Sequence, residues 1–192
     1  MQFTPCTISG LAILTPRRHG DERGYFAETF RADLFAAEMG AFRFMQDNES
    51  LSRKAGTVRG LHFQSDPHAQ GKLVRCTAGA LFDVAVDIRA GSPTFGQWVG
   101  QELTPENGKQ LWIPPGFAHG FCTLEPDTVI SYKVTGGYYN AACDKGVAWD
   151  DPAIAIAWPD VADAATLSVK DRQQPLLSDL PSYFTFQAPG QD

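Results

Sequence analysis

Between residues 10 and 149 the chain is cut into short apolar or alternating runs by Gly, Pro, Asn and Asp, and the cuts recur at roughly ten-residue intervals. That spacing predicts many short antiparallel strands, and hence a sandwich or barrel. Strands are expected at 10–16, 25–30, 41–47, 57–64, 73–77, 80–88, 96–103, 109–113, 120–124, 128–135 and 146–149. One stretch, 31–39, reads as a helix, with Leu34 and Phe35 on one face and Gly40 as its stop. From Asp150 the chain is richer in Pro, Asp and Ala, and this tail is expected to wrap the outside. The fold class is therefore mainly all-β, with one or a few short helices.

The 192 residues suffice for one sizeable core and point to a single domain, 1–192. No run approaches the roughly 18 apolar residues of a membrane span, and residues 1–6 lack the basic start and apolar middle of a secretion signal. A net charge of −6 argues against nucleic acid as a partner, though a local basic cluster could still hold an anionic small ligand. Cysteines 6, 76, 122 and 143 form no Cys-x-x-Cys pair. Cys76 and Cys122 read as small buried hydrophobes, and reduced thiols suggest a cytoplasmic location.

Chemistry concentrates in residues 46–72. In the strand 57–64, strict alternation puts Arg59, Leu61 and Phe63 on one face and Gly60, His62 and Gln64 on the other. His62 suits a general base, since its ordinary pKa lies near 6.5; a hydrogen-bonded strand histidine is the plain alternative. His68, beside Pro67, is expected to be exposed. Asp83 and Asp87 interrupt the apolar run 80–88, and each needs a partner or a polar cavity, because an unpaired buried carboxylate is costly. Arg23 and Arg59 are candidate ion-pair partners for either of them or for Glu28.

Gly108-Lys-Gln-Leu-Trp-Ile-Pro114-Pro-Gly116-Phe-Ala-His119 resembles the second motif of the cupins, a double-stranded β-helix of the jelly-roll kind. Many cupins hold a transition metal, which needs three or four converging donors. Here the matching first stretch offers only His62-Phe-Gln64, with the cation Lys72 downstream. No metal is expected.

A more specific likeness covers about residues 10–178. Arg23-Gly-Tyr-Phe-Ala-Glu28, Gln46-Asp-Asn48, Val58-Arg-Gly-Leu-His-Phe-Gln64 and Gln70-Gly-Lys-Leu-Val-Arg75 occur in that order. Phe82 to Arg89, Ser92-Pro-Thr-Phe-Gly96, Leu111 to Gly120 and Tyr132-Lys-Val-Thr135 follow. Together they resemble the dTDP-4-dehydrorhamnose 3,5-epimerase family. The resemblance implies cofactor-independent inversion of carbons 3 and 5 of dTDP-4-dehydro-6-deoxy-D-glucose. Both carbons flank the carbonyl at carbon 4, so their protons are acidic, and one base and one acid on opposite faces suffice. By resemblance His62 is the base, Asp171 its partner, Tyr132 the acid and Lys72 the group that meets the enolate oxygen. Arg23, Phe26, Glu28, Gln46, Asp47, Asn48, Arg59, Lys72, His119, Tyr138, Asp144 and Lys170 fall where family members contact the nucleotide sugar. The resemblance also implies a homodimer with N-terminal strands crossing between subunits. Two features depart from the family. Gly136-Gly137 precedes Tyr138-Tyr139 where one residue is usual, which bears on the loop carrying Asp144, and Glu49 replaces a common His. The alternatives are inversion at one carbon only, a non-catalytic sugar-nucleotide-binding cupin, and a metal-dependent cupin enzyme.

Overall fold

The computed structural model describes residues 1–187. In chain order the elements are β1 (Gln2–Pro5), β2 (Ala12–Thr15), β3 (Arg18–Asp21), β4 (Gly24–Ala27), α1 (Ala32–Met39), β5 (Phe44–Ser52), β6 (Val58–Gln64) and β7 (Lys72–Ala78). They continue with β8 (Leu81–Asp87), β9 (Arg89–Ala90), β10 (Trp98–Leu103), β11 (Gln110–Ile113), β12 (Phe117–Thr123), β13 (Thr128–Thr135), β14 (Asp144–Gly146) and β15 (Phe184–Thr185). The mainly-β expectation holds. The pattern missed β1, β3, β9 and β15, which are too short or too polar to stand out, and β14 shares only Gly146 with the expected 146–149.

A six-stranded sheet, β1-β2-β11-β7-β13-β5, faces a five-stranded sheet, β10-β8-β12-β6-β14. Between them Val74, Leu111, Ile113 and Ile130 of the first sheet meet Leu81, Ala85, Leu103, Phe117 and Phe121 of the second. This is a jelly-roll sandwich whose apolar alternation is spent inward on both sheets. On the first sheet's other face, Ala12, Leu14, Leu73 and Trp112 are covered by α1 through Phe35. The Phe35 and Trp112 rings stand edge to face, 4.9 Å apart. The second sheet's outer face (Leu61, Phe63, Val84, Val86) is covered by the tail, through Ile154, Leu177, Tyr183 and Phe184. The tail thus wraps the outside as expected. No helix is long and apolar enough to cross a membrane among the described residues.

Two local features set the site. Strand β6 pairs with β12 in the register His119↔His62 and then Phe121↔Arg59, so Gly60 and Leu61 together oppose Gly120. This bulge reverses the alternation, and Arg59 joins His62 on the inner face instead of opposing it, which corrects the sequence reading. Gly60 makes the bulge possible: its φ is +119, and a Cβ there would lie 2.5 Å from the Gly120 Cα. The other feature is the β3–β4 hairpin, which pairs with no other strand among the described residues and carries Tyr25 and Phe26 at 60% and 71% exposure.

Candidate active site

One end of the inter-sheet space is a cavity of about 260 Å³, lined by Ser50, Arg59, His62, Lys72, His119, Phe121, Ile130, Tyr132, Ser168, Lys170 and Asp171. His62 and His119 are direct cross-strand neighbours on the five-stranded sheet. Tyr132 on β13 and Lys72 at the start of β7 come from the six-stranded sheet. The imidazole and the phenol therefore stand on opposing sheets and line the same cavity.

Asp171 arrives from the tail, in the 3-10 turn Asp171–Gln173, and is 4% exposed. Its Oδ1 lies 2.5 Å from His62 Nε2. Burial pushes its carboxyl up, but hydrogen bonds from His62 and Ser168 outweigh this and hold it below the ordinary carboxylate range. A carboxylate accepting from Nε2–H leaves Nδ1 as the basic nitrogen. His119 Nε2 lies 2.7 Å from Asp83 Oδ1. Burial lowers the His119 pKa despite that carboxylate, so the ring is neutral at neutral pH.

Burial pushes the Lys72 ammonium down to about 8, against the raising influence of Asp83 and Asp144 and with a lowering one from Lys170. It is still mostly a cation at neutral pH. Arg59 donates to Ser52 Oγ and to the Leu51 carbonyl, each at 3.3 Å. Lys170 pairs with Asp144, which also accepts from the Tyr139 hydroxyl at 3.2 Å.

Of the residues read from the sequence, Arg59, His62, Lys72, His119, Tyr132, Lys170 and Asp171 are gathered at this cavity. Gln46 and Asn48 lie on β5 in line with Ser50 and are joined by a 2.7 Å hydrogen bond, outside the lining. Asp47 points to the other face, where it pairs with Lys133 at 3.0 Å. Arg23 at the hairpin tip pairs with Asp21 at 2.5 Å; Phe26 is exposed, and Glu28 lies 3.9 Å from Arg31. Tyr138 is 62% exposed. The buried aspartates are not held by Arg23 or Arg59: Asp83 takes His119, and Asp87 takes Arg89, Ser92 and Thr94. His68 is half-buried rather than exposed, with its Nε2 3.3 Å from Asn140. Gly136 and Gly137 let that loop close on residues 68–70, since a Cβ on Gly136 would lie 2.0 Å from the Ala69 carbonyl oxygen. Ser50, Phe121, Ile130 and Ser168 were missed, being ordinary strand and turn residues in sequence; Asp83 was signalled only as an acid in an apolar run.

The sequence model of the family described as dTDP-4-dehydrorhamnose 3,5-epimerase matches residues 5–179. A dTDP-4-dehydrorhamnose 3,5-epimerase of Sinorhizobium fredii is 58% identical over 186 residues, covering 97% of this chain and 94% of that protein. A dTDP-4-dehydrorhamnose 3-epimerase of Streptomyces niveus is 38% identical over 195 residues, covering 98% and 92%. The dTDP-6-deoxy-D-glucose-3,5-epimerase of Legionella pneumophila, solved in complex with dTDP-4-keto-L-rhamnose, superposes with a TM-score of 0.90 at 45% identity, covering 97% of this chain and 99% of that one.

Proposed function

The chain belongs to the dTDP-4-dehydrorhamnose 3,5-epimerase family, and from that premise we propose that it inverts carbons 3 and 5 of dTDP-4-dehydro-6-deoxy-D-glucose, with His62 as base and Tyr132 as acid. The carrying observation is His62 on one sheet, backed by Asp171 from the tail, facing Tyr132 on the other sheet across one cavity. His62 Nδ1 takes the proton from a carbon beside the carbonyl, and the electron pair moves onto the carbonyl oxygen as an enolate. Asp171 stabilises the imidazolium that forms. The Lys72 ammonium meets the oxyanion, an effect typically worth about 3 kcal/mol per donor. Tyr132 returns a proton to the same carbon from the opposite face, and the stereocentre is inverted. Solvent resets the phenolate and imidazolium. Re-seating the ring presents the second carbon to the same pair.

The cavity, at about 260 Å³, lies just below the roughly 300 Å³ at which small-molecule pockets begin. It suits the sugar ring, and the nucleotide diphosphate then extends past the mouth. Arg59 and Lys170 suit the diphosphate there, and Gln46 and Asn48 continue the wall. Asp144 acts through Lys170 and Tyr139.

We assign Arg23, Phe26, Tyr138 and Glu28 to the nucleotide end. The unpaired hairpin suggests that a second copy of the chain completes this end in a homodimer. Both edges of β2 are taken by β1 and β11 of the same chain, so the β3–β4 hairpin is the N-terminal element free to cross. The four unpaired thiols fit a reducing compartment, and we assign the cytoplasm.

A second reading, inversion at one carbon only, is favoured by the likeness to the Streptomyces 3-epimerase and by the glycine-bearing loop at 136–137. Incubation with the 4-keto sugar nucleotide in deuterated water, read by NMR, separates the two. The first reading predicts deuterium at carbons 3 and 5; label at one carbon alone selects the second, and label at neither rejects both.

A further inference from the structure

Strand β8 carries two buried aspartates, and they are built differently. Asp87 is satisfied from several sides: Arg89 reaches it from two nitrogens and Ser92 and Thr94 donate hydroxyls, which is how a structural carboxylate is buried at low cost. Asp83 is equally inaccessible, at 0% exposure, yet has one partner, the His119 ring. Its second oxygen, Oδ2, has no hydrogen-bond partner among the described residues. A fully buried carboxylate in that state needs a positive charge nearby.

The neutral His119 ring does not supply it. The charges that bear most on Lys72 are those of Asp83, Asp144 and Lys170, and Arg59, His62, His119, Tyr132, Lys170 and Asp171 line the same cavity, where Arg59 donates to Ser52 and Leu51 and Asp171 is taken by His62. Asp144 is already engaged by Lys170 and by the Tyr139 hydroxyl. Asp83 is the acid left without a cation of its own.

We propose that Asp83 is a positioning residue for the reaction: through Oδ1 it fixes the His119 ring, and through its unmatched negative charge it serves as the buried counter-ion of Lys72. The inference rests on the reading of Lys72 as the group that meets the enolate oxygen. Its physical content is that a cation must wait in a closed cavity without substrate. A counter-charge one layer behind the wall keeps it charged without forming the direct ion pair that would compete with the oxyanion. The two His–Asp pairs then divide the work. His62 changes charge during the reaction, while His119, its direct neighbour, stays neutral and does not repel the imidazolium.

The test is an NMR titration of the Lys72 side chain, labelled at 13Cε, in the wild-type protein and in Asp83→Asn, which preserves shape. The midpoint, about 8 in the wild type, is expected to fall by a pH unit or more in the variant. The alkaline limb of solvent-deuterium exchange into substrate should fall with it. An unchanged midpoint in a folded Asp83→Asn protein overturns the proposal. If that variant does not fold, Lys72→Met gives the reciprocal measurement, because coupling is mutual. The Asp83 carboxyl, read at 13Cγ, must then ionise at higher pH than in the wild type, and no change overturns the proposal equally. Neither titration needs substrate. Absence of exchange in the wild type would sink the functional reading alone, whereas exchange with unmoved midpoints would sink this inference alone.

Discussion

Asp171 illustrates how one side chain acts at several levels. Out of context it is a turn acid in a polar tail, and only the order of surrounding motifs marks it. In the fold it is shut against His62 and selects which ring nitrogen is basic. Asp171→Asn would favour the wrong tautomer while keeping the shape, so kcat should fall by about 10³–10⁴-fold with little change in KM. The same carboxylate has a pH signature in stability. Its folded pKa lies below the ordinary value of 3.8, so the stabilisation is present above that value and is lost as pH falls through the folded pKa. Thermal melts below about pH 4 should therefore fall less steeply for Asp171→Asn than for the wild type. Lys72 gives the opposite limb. As pH rises through about 8 the ammonium is lost, and activity should decline. Lys72→Arg, whose charge persists above pH 12, should abolish that decline below pH 10 even if the rate itself is reduced. A pH–rate profile with the same alkaline limb in both proteins would remove Lys72 from the mechanism.

At the scale of elements, the strands were legible because alternation has a period of two and turn residues punctuate it. The exceptions are instructive. The bulge in β6 could not be read from β6 alone, since it exists only in its register with β12. One extra residue there brought Arg59 round beside His62, and strict alternation gave the wrong face. The glycine that permits it provides a test. Gly60→Ala places a Cβ 2.5 Å from the Gly120 Cα at a φ of +119, and should cost about 2–4 kcal/mol in denaturant unfolding. Activity should fall as well, because His62 is two residues away; a variant of wild-type stability would show that the bulge has another origin. The polar hairpin β3–β4 was half seen: its second strand was expected too long, and its first strand lacks any apolar alternation. The glycine insertion at 136–137 was visible as a departure, but its consequence was not. The loop packs on residues 68–70, and Asp144 is tied to Lys170.

For the whole molecule, the jelly-roll explains why residues far apart in sequence converge. His62 and Asp171, separated by 109 positions, meet because the tail crosses the outside of one sheet and turns in at the cavity. Tyr132 and Lys72 come from the other sheet. A sandwich can thus offer a base and an acid to opposite faces of a ring held between the sheets without either group moving far. That placement is the central claim, and one variant probes it directly. Tyr132→Phe should still exchange the proton at the carbon next to the carbonyl for deuterium, because His62, with its side chain 31% exposed, can trade its proton with solvent. It should return that deuterium from the same face, so the sugar is labelled with its configuration retained. NMR of Tyr132→Phe with the 4-keto sugar nucleotide in deuterated water is therefore the deciding measurement. Label with retention is the predicted result, and label with full inversion, or no label at all, would contradict the account.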